Sequence, residues 1–120
     1  MRTREQLQDR YDLTGRVAIV TGGSRGIGRA IAETFAAAGA AVVIASRKAD
    51  ACATAASTIK AAGGRAIALP THVGHLDQLE ALVAATVDEF GRLDIVVNDA
   101  ANALGLPIGR ITPEAWEASY

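Results

Sequence analysis

The sequence predicts an α/β fold, a parallel sheet covered by helices. Three observations carry that expectation. Short continuous apolar runs alternate with segments of helical periodicity, glycines stand where those helices should stop, and the first apolar run breaks off at spaced glycines just before a helical pattern begins. Alternation of strands and helices with short connections implies right-handed βαβ units.

Each element follows from its own residues. The first fourteen residues open with the charged MRTREQLQDR and read as an amino-terminal arm or short helix, with the domain proper spanning 15–120. Val17-Ala18-Ile19-Val20 is an uninterrupted apolar run, as expected of a parallel strand buried on both faces. Gly26 to Ala38 carries Ile27, Ala30, Ile31, Thr34, Phe35 and Ala38 at helical spacing, and Gly39 stands at the left-handed stop. Ala41 to Ala45 is a second strand, and an alanine-rich helix runs from about Asp50 to Ala62 before Gly63-Gly64. Ala66 to Leu69 is a third strand. Asp77 to Phe90 is a third helix with Leu79, Leu82, Val83, Thr86, Val87 and Phe90 expected to face inward. Leu93 to Val97 is a fourth strand. No internal repeat or low-complexity linker interrupts the series.

Composition excludes several classes. A chain of 120 residues suits one domain, and half of its residues are hydrophobic, which excludes a disordered polar chain. Aromatics make up only 4%, so the core must be built from small aliphatic groups. The formal charge of −1 gives no general attraction to nucleic acid or to an anionic membrane. Cys52 is the only cysteine, so no internal disulfide can form, and a reducing cytoplasm is the expected location. The amino terminus is too charged for a signal peptide's apolar core, and Glu5 and Asp9 weigh against a transit peptide. No apolar run approaches the roughly 18 residues needed to span a bilayer.

The turn between the first strand and the first long helix, Thr21-Gly22-Gly23-Ser24-Arg25-Gly26-Ile27-Gly28, lies at the carboxyl end of a strand, where ligands sit in open α/β sheets. Exposed N–H groups and the positive end of a helix dipole favour an anion there, and glycines let a phosphate approach the backbone without meeting a Cβ. The dinucleotide pattern G-x-G-x-x-G fails, because Ile31 stands where its last glycine belongs. The triphosphatase loop G-x-x-x-x-G-K-[ST] nearly fits Gly23 to Gly28, but Arg29 replaces the lysine and Ala30 the hydroxyl that would hold Mg²⁺. T-G-x-x-x-G-x-G fits throughout. A glycine turn that merely closes a tight connection is the bland alternative.

That turn, the segment Leu93-Asp94-Ile95-Val96-Val97-Asn98-Asp99-Ala100-Ala101, and Ile111-Thr112-Pro113-Glu114-Ala115-Trp116 together resemble the classical short-chain dehydrogenase/reductases, from about Asp12 to the last residue. The likeness covers the amino-terminal half of that family's usual domain. It implies an incomplete Rossmann-type sheet of about four strands in the order 3-2-1-4. It also implies binding of NAD(H) or NADP(H), and hydride transfer between alcohol and carbonyl substrates. By the resemblance, Gly22, Gly26 and Gly28 lie against the pyrophosphate, with Ser24, Arg25 and Ile27 supplying donors nearby. Asn98 and Ala100 would line the adenosine ribose. His72 would take the place of an aspartate that touches the adenine amino group, and Val73 would contribute its backbone N–H. The family usually shows Asn-Asn-Ala-Gly after the fourth strand. Here Asp99 removes an amide donor and adds negative charge near an anionic cofactor, and Ala101 adds a methyl group.

Cofactor choice turns on the end of the second strand. An NAD reader needs a carboxylate about 20 residues after the glycine turn, but the strand ends Ile44-Ala45-Ser46-Arg47-Lys48 with no acid until Asp50. Arg47 and Arg25 are placed to face a 2′-phosphate, with Ser46 donating a hydrogen bond, so NADP is preferred and NAD is the alternative. A basic loop in water is the bland reading. His72 and His75 lack a matching second pair of ligands for a metal. Cys52 reads as a packed thiol rather than a nucleophile.

Catalysis in the resembled family uses a Ser and a Tyr-x-x-x-Lys pair. Tyr120 is the last residue and Tyr11 has Gly15 where the lysine belongs, so no residue here matches the catalytic set. The expected role is therefore the cofactor-binding portion of an oxidoreductase, with an alcohol or carbonyl substrate held by a full-length parent and the chain alone inactive. A non-catalytic nucleotide-binding module and an interaction protein are the alternatives. Ending at Tyr120 leaves the fourth strand's edge open, which predicts poor autonomous stability and self-association through that strand.

Overall fold

The computed structural model describes residues 3–99. The expected 111–116 motif, the loop from 102 to 109, and Ala100 lie outside the described residues.

The amino-terminal arm forms a helix, α1 (Arg4–Arg10), started by a reciprocal cap. The Thr3 hydroxyl accepts from the Gln6 backbone N–H at 3.1 Å, and the Gln6 side chain accepts from the Thr3 N–H at 2.9 Å. No α1 side chain is buried, so this helix adds little to the core.

The domain continues as β1 (Val17–Thr21), α2 (Gly26–Ala37), β2 (Ala41–Ala45), α3 (Ala49–Ala61), β3 (Arg65–Ala68), α4 (Leu76–Phe90) and β4 (Ile95–Asn98). The four strands form one sheet in the order β3-β2-β1-β4, with every pairing parallel. This is the Rossmann-type order expected from the sequence. α2 ends as anticipated, with Gly39 at φ +105, a conformation that side-chain-bearing residues rarely adopt.

Burial explains the apolar runs. All five residues of β1 and all five of β2 are buried, because each strand has a neighbour on both edges and helices over both faces. Side chains alternate between those faces. Val20, Val42 and Ile44 point to one layer, where they meet Ala32 and Ala36 of α2 and Cys52, Ala55, Ala56 and Ile59 of α3. Ile19, Val43 and Ala45 point to the other, where Leu82 of α4 is buried with Phe90 and Leu93 beside it. The many alanines let α2 and α3 approach the sheet closely, which offsets the shortage of aromatic residues.

Two expectations need correction. Leu93 and Asp94 do not belong to the fourth strand. The Asp94 backbone N–H donates to the Val17 carbonyl at 2.9 Å, and the Asp94 carboxylate accepts from the Val17 N–H at 2.9 Å. That side chain takes over where the β1–β4 ladder would otherwise begin. On α4, Leu82 and Thr86 are buried and Leu79 and Phe90 half-buried, but Val83 and Val87 are 44% and 42% exposed. The apolar arc of α4 is wider than the stripe that meets the sheet. The buried Thr86 hydroxyl is satisfied by the Leu82 carbonyl at 2.8 Å.

No helix among the described residues is long and apolar enough to cross a membrane.

Candidate functional site

The carboxyl ends of all four strands lie on the same side of the sheet, as parallel pairing requires. Thr21 is in register with both Ala45 and Asn98, so the residues that follow β1, β2 and β4 start side by side. Backbone bonds extend this beyond the strands. Gly22 N–H donates to the Ala45 carbonyl at 2.8 Å, and Thr71 N–H donates to the Ser46 carbonyl at 2.8 Å, which brings the segment after β3 up to the end of β2.

The glycine turn is built on β1 and opens α2. Gly22 and Gly26 have φ of +71 and +59, the left-handed region where a side chain is strained. Ser24 is buried, Arg25 is the exposed N-cap residue, and Ile27 in the first turn is 73% exposed. Gly28 is buried, and a Cβ on it would lie 2.3 Å from the Gly22 carbonyl oxygen, so the turn folds back onto the helix only because that atom is missing. At Gly26 a Cβ would meet nothing within 4 Å. The helix start is therefore bare and approachable, with its first N–H groups free of intrahelical acceptors by construction. This arrangement fits a diphosphate group: Gly22, Gly26 and Gly28 would let it reach the backbone, and the α2 dipole would favour its charge.

Ser46 and Arg47 follow β2. Arg47 is exposed, and Ser46 is half-buried with its hydroxyl 3.0 Å from the Cys52 sulfur and accepting from the Lys48 N–H at 3.2 Å. His72 and Val73, both half-buried, follow β3. The His72 N–H donates to the Gln78 side chain at 2.7 Å, and its Nδ1 accepts from the Gly74 N–H at 3.0 Å. His72 and His75 rings stack at 4.4 Å with a 35° tilt. No group of three or more His, Cys, Asp or Glu converges on a metal position among the described residues. Asn98 closes β4, and its side-chain oxygen lies 3.3 Å from the Thr21 hydroxyl. Thus Gly22, Ser24, Arg25, Gly26, Ile27, Gly28, Ser46, Arg47, His72, Val73 and Asn98 lie at one end of one sheet. Ala100, the remaining candidate, falls outside the described residues.

Three residues outside the candidate set also bear on this end of the sheet. Thr21 ties β1 to the end of β4: its hydroxyl accepts from the Asp99 N–H at 3.1 Å and lies 3.2 Å from the Val97 carbonyl. Its place at the head of the glycine motif was the available signal. Cys52, fully buried in the first turns of α3, supports the Ser46 hydroxyl from below. Asp99 reaches the glycine turn itself, with Oδ2 only 2.8 Å from where a Gly28 Cβ would lie. The last two approaches depend on how helix and strand meet, which spacing does not reveal.

The chain is similar to an uncharacterized oxidoreductase of Methylorubrum extorquens, 48% identical over 110 residues that make up 90% of this chain and 44% of that protein. It is similar to a 3-oxoacyl-[acyl-carrier-protein] reductase of Synechocystis sp., 40% identical over 107 residues, 88% of this chain and 43% of that protein. Among solved structures, a metagenomic short-chain oxidoreductase in complex with NADP superposes with a TM-score of 0.81 at 37% identity, covering 90% of this chain and 49% of that one. The chain spans less than half the length of these relatives. The model of the short chain dehydrogenase family matches residues 16–120, and with the parallel sheet and glycine turn in place the chain belongs to that family.

Proposed function

We propose that this chain is the NADP(H)-binding portion of a short-chain dehydrogenase whose whole form transfers hydride between an alcohol and a carbonyl substrate. The observation that carries this reading is the glycine turn, with left-handed Gly22 and Gly26 and the bare start of α2 at the carboxyl end of β1. In this reading Gly22, Gly26 and Gly28 admit the diphosphate, Ser24, Arg25 and Ile27 border it, and Ser46 and Arg47 take the 2′-phosphate. His72 and Val73 border the adenine, and Asn98 and Ala100 the ribose. The bound nicotinamide would supply the hydride acceptor or donor; the residues here bind and orient it. Arginine and serine without an acid after β2 favour NADP over NAD.

The relative named a 3-oxoacyl reductase and the solved structure holding NADP support the reaction class and the cofactor. The 120-residue chain alone is expected to bind without turnover, because it carries no Tyr-x-x-x-Lys pair. Titration of the chain with NADPH and with NADH, followed by nucleotide fluorescence, tests the proposal. Tighter binding of NADPH is the expected result. Tighter binding of NADH would overturn the 2′-phosphate assignment, and no binding of either would overturn the nucleotide reading.

A further inference from the structure

We infer that the Asp99 carboxylate acts as an electrostatic brake on diphosphate binding at the glycine turn, making Asp99 an affinity-setting residue of this site. The inference rests on the dinucleotide reading above. Asp99 follows directly after β4, and its backbone is fixed there by the bond from its N–H to the Thr21 hydroxyl at 3.1 Å. From that anchor the side chain extends across to α2, where Oδ2 lies 2.8 Å from the position of a Gly28 Cβ. Gly28 is the third residue of α2, in the turn whose N–H groups an anion would address.

An ionised carboxylate at that position only accepts hydrogen bonds. Lying this close to the helix start, its negative charge opposes the helix dipole's attraction for an anion and repels an incoming diphosphate. Gly28 has no side chain to separate the two. Arg25, the N-cap residue, is exposed and makes no side-chain cap bond to the helix start, and Asp99 is exposed beside that same start. A carboxylate near two phosphate charges across a partly solvated gap weakens binding on the order of tenfold at low ionic strength. Salt screens that repulsion, because the Debye length shrinks to about 3 Å at 1 M.

The test compares the wild-type chain with Asp99→Asn and Asp99→Ala. Each is titrated with NADPH, with ADP-ribose, which keeps the diphosphate, and with adenosine 2′-monophosphate, which lacks it. Both variants are expected to bind NADPH and ADP-ribose about tenfold more tightly at low salt, with the gain shrinking at 0.5 M salt. Binding of adenosine 2′-monophosphate should stay unchanged. A carboxylate with a purely structural role would shift the melting temperature and leave the ratio of ADP-ribose to adenosine 2′-monophosphate affinity alone. Wild-type binding that neither substitution improves overturns the brake and leaves the dinucleotide reading standing. A gain in the asparagine variant only also overturns it, since the amide donor and not the lost charge would then be responsible. No binding by any of the three proteins overturns both readings.

Discussion

The carboxylate of Asp94 accepts a hydrogen bond from the backbone N–H of Val17 at 2.9 Å, joining the approach to β4 with the first residue of β1 across 77 positions of sequence. The same carboxylate is gripped by Arg92, with contacts of 2.6 Å and 2.8 Å, and lies 3.6 Å from Arg16. Its side chain is only 14% exposed. One residue thus closes the end of the sheet opposite the glycine turn, and does so with charge-assisted bonds.

A pH dependence follows. The Arg92 hydrogen bonds, and then the Val17 N–H, hold the Asp94 carboxyl below its ordinary value of 3.8. A depressed folded-state value means that the unfolded chain takes up the proton first as pH falls. The stabilisation is therefore complete above about pH 4 and is lost as pH drops through the folded-state value. Asp12, held low by the Thr14 hydroxyl and N–H, acts in the same direction. Urea unfolding of Asp94→Asn is expected to show a lower midpoint than wild type at pH 7 and a difference that narrows toward pH 2.5. An equal gap at both pH values would contradict the assignment.

Gly28 and Gly26 predict different penalties for the same substitution. In Gly28→Ala the new Cβ meets the Gly22 carbonyl at 2.3 Å and the Asp99 carboxylate at 2.8 Å, so backbone must move. The cost to folding is expected to be about 1–3 kcal/mol, as for overpacking elsewhere. In Gly26→Ala the Cβ meets nothing, but φ of +59 is strained for alanine by roughly 1–2 kcal/mol. In the proposed cofactor reading the open space beside Gly26 belongs to the diphosphate, so NADPH binding should fall more than stability does. Thermal melts with and without NADPH separate the two effects.

The legible parts of this molecule were those set by local chemistry. Val17 to Val20 and Ala41 to Ala45 read as strands because burial on both faces removes any polar alternation. The glycine turn reads as an anion site because such a site needs missing side chains, and missing side chains are visible in a sequence. Asp94 reads as a strand residue because nothing in Leu93-Asp94-Ile95 shows that its carboxylate bonds to the start of another strand. The approach of Asp99 to Gly28 and of Cys52 to Ser46 joins residues 71 and six positions apart through tertiary packing alone. The rotation of α4 is not legible in its sequence for a related reason. Its periodicity identifies an apolar arc, but only the sheet decides which part of the arc is covered.

That rotation can be measured. Leu82 is buried among Ile19, Val43 and Ala45, so Leu82→Ala should cost about 2–5 kcal/mol through lost contacts and a residual cavity. Val87, on the exposed stripe, should lose no more than about 0.5 kcal/mol on substitution by Ala. If both substitutions lowered the denaturation midpoint equally, the inward-facing set read from the sequence would be the better description of α4.

Arg47 offers the sharpest separation of cofactor recognition from fold. It follows β2 and is exposed, so Arg47→Ala should leave the melting temperature within the small range usual for surface substitutions. A charge-assisted bond to a phosphate oxygen contributes about 1.5–3 kcal/mol, equivalent to roughly a 10- to 150-fold change in affinity. NADPH binding by Arg47→Ala should weaken by that factor while NADH binding barely changes, because NADH carries no 2′-phosphate. Ser46→Ala should produce a smaller effect in the same direction, since its hydroxyl also engages Lys48 N–H and the Cys52 sulfur. Equal losses for NADPH and NADH would mean that Arg47 acts on the adenosine or the diphosphate, and the preference for NADP would then need another source.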